Sequence, residues 1–182
     1  MSQWTHVNGN IRYDSMAHAG STIGGNKTEE EHAVEKAARC EQIDLIFFQE
    51  IKEILGEMIG YEHVGLFGED GGNCPQSHIP CGSEGSIEYE AIKCDRGYNV
   101  IIWGDLRNYG DSDTKKEIFP WFEKVIAGEL TDLIFVRSAI LHVQVEYGND
   151  YIILRDDDSI GDKDRPRTIV HDLGKKNRKL QI

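Results

Sequence analysis

The stretch that decides the fold runs from Ser86 to Arg107: Ser-Ile-Glu-Tyr-Glu-Ala-Ile-Lys-Cys-Asp-Arg-Gly-Tyr-Asn-Val-Ile-Ile-Trp-Gly-Asp-Leu-Arg. Apolar and polar side chains alternate over residues 86–93, which is typical of a strand with one buried face. A second strand-like run, residues 99–107, follows after the short turn at Asp95-Arg96-Gly97. The two runs therefore predict a β-hairpin.

Helical patterns lie on both sides of this hairpin. Upstream, Thr28-Glu29-Glu30-Glu31 is a capping box, and apolar residues keep a helical period from residue 33 to residue 58. Because a single helix of that length is unusual, we expect a break near Cys40–Gln42 and a C-terminal stop at Gly60. Downstream, Asp113–Gly128 predicts a second helix, in which Pro120 indicates either a separate first turn or a kink.

Strands are also predicted at the two outer ends of this order. Residues 4–14 alternate in polarity, and residues 135–147 form a long strand that turns at 148–150 into a last strand, residues 151–155. The order is βαββαβ with an additional C-terminal strand, which predicts an α+β, ferredoxin-like fold. Two helices then cover one face of an antiparallel sheet, with residues 4–14 beside 135–147.

Composition limits the domain organisation and the classes of partner. A chain of 182 residues suits one domain, and we expect residues 1–155 to form it and residues 156–182 to be a charged extension. The apolar runs are too short to span a membrane, so no membrane partner is expected. The N-terminus lacks the layout of a secretion signal, so a cytoplasmic location is expected. The net charge of −12 argues against a general nucleic-acid binder.

The four cysteines, at positions 40, 74, 81 and 94, are expected to be reduced thiols in that compartment. Cys74, His78 and Cys81 are potential zinc ligands. Six residues lie between the two cysteines, however, whereas a structural zinc site usually has a Cys-x2–4-Cys knuckle. The sequence therefore predicts neither a metal nor a cofactor.

Strand alternation predicts which side chains the uncovered face of the sheet presents. Solvated faces usually carry Lys, Glu and Thr, whereas this face is expected to carry groups that bond to or stack on a ligand: His6, Asn8, Asn10, Arg12, Glu88, Glu90, Trp103, Asp105, Arg107, Ser138, His142 and Gln144. A ligand pocket, a homo-oligomer interface, or both together would explain this composition.

Several of these residues suggest an anion site beside an aromatic one. Trp103 would stack on a base, while Arg12, Arg107 and Arg137 would neutralise charge, although alternation places Arg137 on the helix side. Asp105 would hold Arg107 for a ligand, or the two would form an ordinary surface ion pair. The loop just before residue 87 would supply backbone donors or be an ordinary turn; its residues are Gly82, Ser83, Glu84, Gly85 and Ser86.

Three stretches together resemble a group of small, mostly uncharacterised proteins of tailed bacteriophages: Trp4-Thr-His-Val…Ile11-Arg-Tyr-Asp14, Pro80–Ser86 and Ile102–Arg107. The resemblance implies a counter-defence factor in the host cell cytoplasm, since some such families sequester host nucleotide immune signals. The leading hypothesis is a non-enzymatic protein that captures a small anionic nucleotide-like ligand. Two alternatives remain: an acidic protein-binding inhibitor that mimics nucleic acid, and a small nucleotide hydrolase or lyase acting through His6 or His142.

Overall fold

The computed structural model describes residues 2–15, 28–56, 79–127, 130, 134–156 and 167–174. Six strands lie within these ranges: β1 (Trp4–Ser15), β2 (Ile87–Cys94), β3 (Gly97–Arg107), β4 (Ile134–Val145), β5 (Asp150–Arg155) and β6 (Thr168–Asp172). They form one antiparallel sheet in the order β2-β3-β1-β4-β5-β6. Helices accompany the sheet, so the α+β class is confirmed.

The strand register follows the hydrophobic alternation of the sequence. β2 and β3 form the predicted hairpin, with Tyr89 opposite Ile102. β1 lies between β3 and β4, so that Ile11 has Val100 on one side and Ala139 on the other. The predicted pairing of residues 86–93 with 99–107, and of 4–14 with 135–147, is confirmed.

The first helix, α1 (Glu29–Leu55), begins at the predicted capping box. The Thr28 N–H donates to Glu31 Oε2 at 2.8 Å, and the Glu31 N–H donates to Thr28 Oγ1 at 3.3 Å. The predicted break near Cys40–Gln42 is wrong, because α1 is continuous; residues 29–55 contain neither glycine nor proline to interrupt it. The helix ends before Gly56, which has a φ of 97°, and not at Gly60, which lies outside the described residues.

The two halves of α1 differ in burial. Residues buried against the core recur every fourth position in the C-terminal half, as expected for one face of a helix: Ile43, Phe47, Ile51 and Leu55. Residues 28–42 are exposed or half-buried. The fully buried residues of the helix therefore all lie in its C-terminal half, and Cys40 is partly buried against the same core.

The second helical region consists of three consecutive parts: α2 (Asp111–Asp113), a π-helical turn (Thr114–Ile118) and α3 (Phe119–Ala127). Residues 111–127 are helical without a break, so a separate first turn, one of the two predicted alternatives, is not present. Pro120 follows the π-helical turn directly, and the Phe119 N–H donates to the Thr114 carbonyl five residues back, so the helical hydrogen-bond pattern is irregular where proline lacks an N–H group. The indole N–H of Trp121 donates to the carbonyl oxygen of Leu55 at 2.9 Å and joins the two helical regions.

The helices pack on one face of the sheet, here called the covered face. Its side chains include Val7, Ile11, Tyr13, Val100, Ile102, Leu141, Val143 and Ile153, all of them buried. At one edge Phe47 of α1 stacks on Tyr98 of β3, with ring centroids 3.7 Å apart and planes 8° apart. The Tyr98 hydroxyl donates to Asp44 at 2.7 Å, and Lys93 forms an ion pair with the same carboxylate, so α1 is fixed to the hairpin.

β6 lies inside the segment that the sequence suggested was a charged extension. It pairs with β5, with Val170 opposite Ile153, and four of its five side chains are exposed. The sequence did not predict this strand, and the division of the chain at residue 155 stays a prediction. Across the described residues, no helix has the length and apolar character needed to cross a membrane.

Candidate functional site

The opposite face of the sheet, here called the open face, carries the predicted polar side chains. Four polar residues of β1 alternate with residues of the covered face, which are buried except for Gly9: His6, Asn8, Asn10 and Arg12. Cross-strand pairing then places Trp103 and His142 on either side of Asn8, and Asp105 and Gln144 on either side of His6. These neighbours define the Trp103 region: His6, Asn8, Glu88, Trp103, Asp105, His142 and Gln144.

Trp103 is the largest partly exposed group in this region, with 40% of the residue accessible. Its indole N–H donates to Glu88 Oε2 at 3.0 Å, across the β2–β3 ladder. The hydrogen bond holds one edge of the ring, so the indole has a defined position on the sheet. A flat aromatic group held in this way is suited to stacking on a planar ligand.

His6 and Asp105 form a close pair beside Trp103. Asp105 Oδ1 accepts a hydrogen bond from His6 Nδ1 at 2.5 Å, and both side chains are more than one-third exposed. Because Nδ1 is bound to the carboxylate, the ring nitrogen that remains for a ligand is Nε2. A histidine oriented by a carboxylate can donate, accept or transfer a proton.

Arg107 is not held by Asp105, contrary to the prediction. Its Nη1 forms an ion pair with Glu84 of the preceding loop, while Asp105 binds His6 instead. The Nε–H group of Arg107 is buried with no partner among the described residues. Part of the hydrogen-bonding capacity of the guanidinium is therefore already used by the chain. Arg107 is the last residue of β3 and lies at the edge of the Trp103 region.

The loop from Cys81 to Ser86 packs tightly on the end of β3. The Gly82 N–H donates to the carbonyl of Gly85, and the Ser83 N–H donates to the carbonyl of Arg107, both at 2.9 Å. A Cβ atom on Gly85 would lie 1.9 Å from the carbonyl oxygen of Asp105, and Gly85 has a φ of 76°. The glycines therefore permit close backbone packing, and at least two of the expected anion donors already bind carbonyl groups of the chain.

Arg12 lies far from this region. Arg12 is opposite Asn99, whereas Arg107 is opposite Trp4, eight residues away along β1, or about 27 Å at the rise of an antiparallel strand. Arg12 binds Asp14 at 3.1 Å. The structure therefore does not bring Arg12 and Arg107 together in one anion site, and Asn10 lies between the two ends.

Arg137 joins Arg12 through a β-bulge. The register of β1 and β4 shifts between Arg12 and Tyr13, so that Ser138 and Val136 are the partners and Arg137 is the extra residue. A bulge redirects a side chain, and Arg137 Nε approaches Asp14 Oδ2 at 3.9 Å. The placement of Arg137 on the helix side by strict alternation is therefore wrong.

Sequence reasoning missed the apolar part of the open face. Ile101 and Ile140 flank Asn10 and are both substantially exposed. Their positions in the alternating pattern, one residue from the buried Ile102 and Leu141, were the available signal. The open face therefore has a polar Trp103 region beside an apolar one.

The cysteines differ from the prediction. Cys81 is disulfide-bonded, so the expectation of a reduced thiol is wrong at this position, whereas Cys40 and Cys94 are present as thiols. Cys74 and His78 lie outside the described residues. In the part of the chain that the structure describes, no three His, Cys, Asp or Glu side chains are grouped to hold a metal ion.

Known proteins do not assign a role to these side chains. Comparison of the chain with protein-family models, curated proteins and solved structures gave no match. The Trp103 region itself offers an aromatic plane, an oriented imidazole and amide groups, with a guanidinium at its edge. That combination is chemically suited to a planar, polar ligand that carries a negative charge.

Proposed function

We propose that the protein is a non-enzymatic binding protein that sequesters a small anionic nucleotide-like ligand on the open face. The observation that supports this proposal is Trp103, an indole that is 40% exposed and held at one edge by Glu88 among hydrogen-bonding groups. Stacking of a base on an aromatic side chain contributes about 1–3 kcal/mol. A base stacked on Trp103 would lie beside three polar residues at neighbouring positions of the adjacent strands: His6, Asn8 and His142.

Arg107 supplies the charge in this proposal. The chain carries a net charge of −12, which disfavours anions at long range, so a local cation is required. A phosphate would replace Glu84 as the partner of the Arg107 Nη1 group. Arg12 has no part in this site, because about 27 Å separates it from Arg107 along β1.

The biological setting follows from the resemblance to tailed-bacteriophage proteins. We propose that the ligand is a nucleotide signal of the host immune response, and that the protein removes it in the host cell cytoplasm. The likeness of the Pro80–Ser86 and Ile102–Arg107 stretches supports this setting, since both contribute to the region around Trp103.

We also propose that the first four strands and the two helical regions form a ferredoxin-like core. The order β2-β3-β1-β4, with one helical region between β1 and β2 and another between β3 and β4, supports this inference. β5 and β6 then extend the sheet beyond β4.

Calorimetry against cyclic nucleotides and ADP-ribose derivatives tests the proposed function. The wild-type chain should bind at least one member of this panel. Trp103→Ala and Arg107→Ala should each weaken binding about tenfold or more, because each removes an interaction of roughly 1.4 kcal/mol or more. Mass spectrometry of small molecules released by heating the purified protein provides an independent identification.

Ile140→Ala is the matched control, since Ile140 is as exposed as Trp103 and lies on the same face outside the Trp103 region. This variant should bind the nucleotide as the wild type does. Equal weakening by all three variants would contradict a site at Trp103. Binding of no panel member would overturn the proposal and favour the acidic mimic of nucleic acid.

The His6–Asp105 pair favours one second candidate, a nucleotide hydrolase or lyase. A carboxylate that orients an imidazole is a common arrangement for a general base. In that case a bound nucleotide would be converted on prolonged incubation, and Asp105→Asn would slow conversion while retaining binding. Recovery of the nucleotide unchanged after incubation with stoichiometric protein would exclude this candidate.

A further inference from the structure

Apolar rows that cross the sheet stop abruptly at β6. On the covered face, Leu141, Ile153 and Val170 are successive cross-strand neighbours; the first two are fully buried, whereas Val170 is 41% exposed. On the open face, the row ends at Ile169, which pairs with Leu154 and is 43% exposed. Both rows therefore have apolar surface at β6 that one further strand would cover.

The two edges of the sheet differ in how they are protected. β2 carries Glu88, Glu90 and Lys93, and charged side chains on an edge oppose pairing with another strand. The first N–H group of β2, that of Ile87, already donates to the carbonyl of Pro80 at 3.0 Å. β2 is therefore an edge that discourages further pairing.

β6 lacks these devices. Its sequence is Thr-Ile-Val-His-Asp, with β-branched residues at its first three positions. Its one carboxylate, Asp172, already accepts hydrogen bonds from Asn149 Nδ2 at 3.0 Å and from the Gly174 N–H at 2.8 Å. Among the described residues, no strand pairs with the outer edge of β6. An exposed edge of this kind is a template for another strand.

We propose that β6 pairs with β6 of a second copy of the chain, antiparallel about a two-fold axis at Val170. In this register Val170 lies opposite the second copy's Val170, and Ile169 lies opposite the second copy's His171. Asp172 lies opposite Thr168 of the second copy, so no like charges meet. A parallel register would place the two Asp172 carboxylates side by side.

A second copy is the occupant that we assign to this edge, because the antiparallel register covers Val170 with Val170 and brings no like charges together. The two-fold axis is perpendicular to the sheet, so both covered faces stay on one side and both open faces on the other. The two six-stranded sheets then become one continuous sheet. This inference is independent of the proposed ligand, since β6 contributes nothing to the Trp103 region.

An interface below about 1,000 Å² gives weak association. Sedimentation velocity should therefore be measured up to a high protein concentration, about 500 µM. The wild-type mass should rise with concentration from 20.6 kDa towards twice that value. Val170→Lys should keep the chain monomeric over the whole range, since it places two ammonium groups opposite each other. A monomeric wild type at every concentration, or a Val170→Lys dimer, would overturn the proposal.

Disulfide trapping decides the question even where Val170→Lys fails to fold. In a background with Cys40→Ser and Cys94→Ser, Val170→Cys should form a covalent dimer on mild oxidation. The matched control is Ala91→Cys, at the centre of the opposite edge strand, which should stay monomeric. Cross-linking through Ala91→Cys alone, or through neither variant, contradicts pairing at β6.

Discussion

The two faces of the sheet are formed by the same strands and yet differ in every respect that matters to function. In β1, Ile11 is completely buried under the helices, while its neighbours Asn10 and Arg12 belong to the open face. The covered face is apolar, with aromatic rings packed edge to face and face to face. The open face combines paired charges with partly exposed Trp103, Ile101 and Ile140.

The contrast shows that neighbouring residues of one strand have different roles, because successive side chains point to opposite faces of the sheet. The covered positions stabilise the fold through removal of apolar surface from water. The open positions contribute little to that stability, because their ion pairs are solvated. Residue types on the open face are therefore available for recognition without a large cost to folding.

Ile11→Ala should produce the largest effect of the variants that distinguish the two faces. It leaves a cavity in the centre of the covered face, so the free energy of unfolding should fall by about 2–5 kcal/mol. Urea denaturation measures this change. Asn10→Ala, one residue away on the open face, is the control and should change the free energy by less than about 0.5 kcal/mol. Similar losses at both positions would contradict the difference in burial.

Gly85→Ala should cost at least about 1–3 kcal/mol, because Gly85 has a positive φ and a Cβ there would also collide with the Asp105 carbonyl oxygen. Gly174→Ala is the matched control, since Gly174 has a φ of 69° and no atom within 4 Å of its Cβ position. The excess cost at residue 85, measured in the same denaturation assay, is due to contact with the Asp105 carbonyl. Equal costs would show that only the backbone conformation matters.

Tyr151, which lies on the covered face, should make the free energy of unfolding depend on pH in alkaline solution. Burial, followed by the hydrogen bond to Asp111, raises the pKa of Tyr151 to about 12 from its ordinary value of 10.0. The unfolded chain loses this proton first, so the stabilisation is complete below pH 10 and is lost as the pH rises towards 12. The difference in unfolding free energy between wild type and Tyr151→Phe should therefore shrink over that interval. A constant difference from pH 9 to pH 12 would contradict this linkage.

Asp105→Asn should have the smallest effect on stability. The His6–Asp105 pair is solvated on both sides, so its loss should lower the free energy of unfolding by less than about 1 kcal/mol. Calorimetric melting at low and high salt checks this expectation. A loss of several kcal/mol would mean that the open face stabilises the fold as the covered face does.

The sequence was sufficient to predict the hairpin, the position of β1 and the side chains of the open face. Each depends on alternation over eight or more residues, a local pattern that survives folding because it matches the period of a strand. Trp103, Asp105 and Arg107 share a face for the same reason.

Other features depend on contacts that alternation does not encode. Arg137 changes face because one extra residue enters β4, and a bulge leaves no clear mark in polarity. Glu84 binds Arg107 because the loop folds back on β3, which depends on glycines twenty or more residues from their contacts. β6 is five residues long within a charged segment, too short for its period to be recognised.

The unequal packing of α1 implies that this helix does not open as a single unit. Its 27 residues extend about 40 Å, yet in its first half Val34 is 69% exposed and none of residues 28–42 is buried. A helical segment as short as this first half is only marginally stable in water without tertiary contacts. Amide hydrogens before Ile43 should therefore exchange with deuterium through local fraying, while those beyond it wait for cooperative unfolding of the domain. The exchange boundary would lie within an unbroken helix, at the residue where the sheet begins to support it.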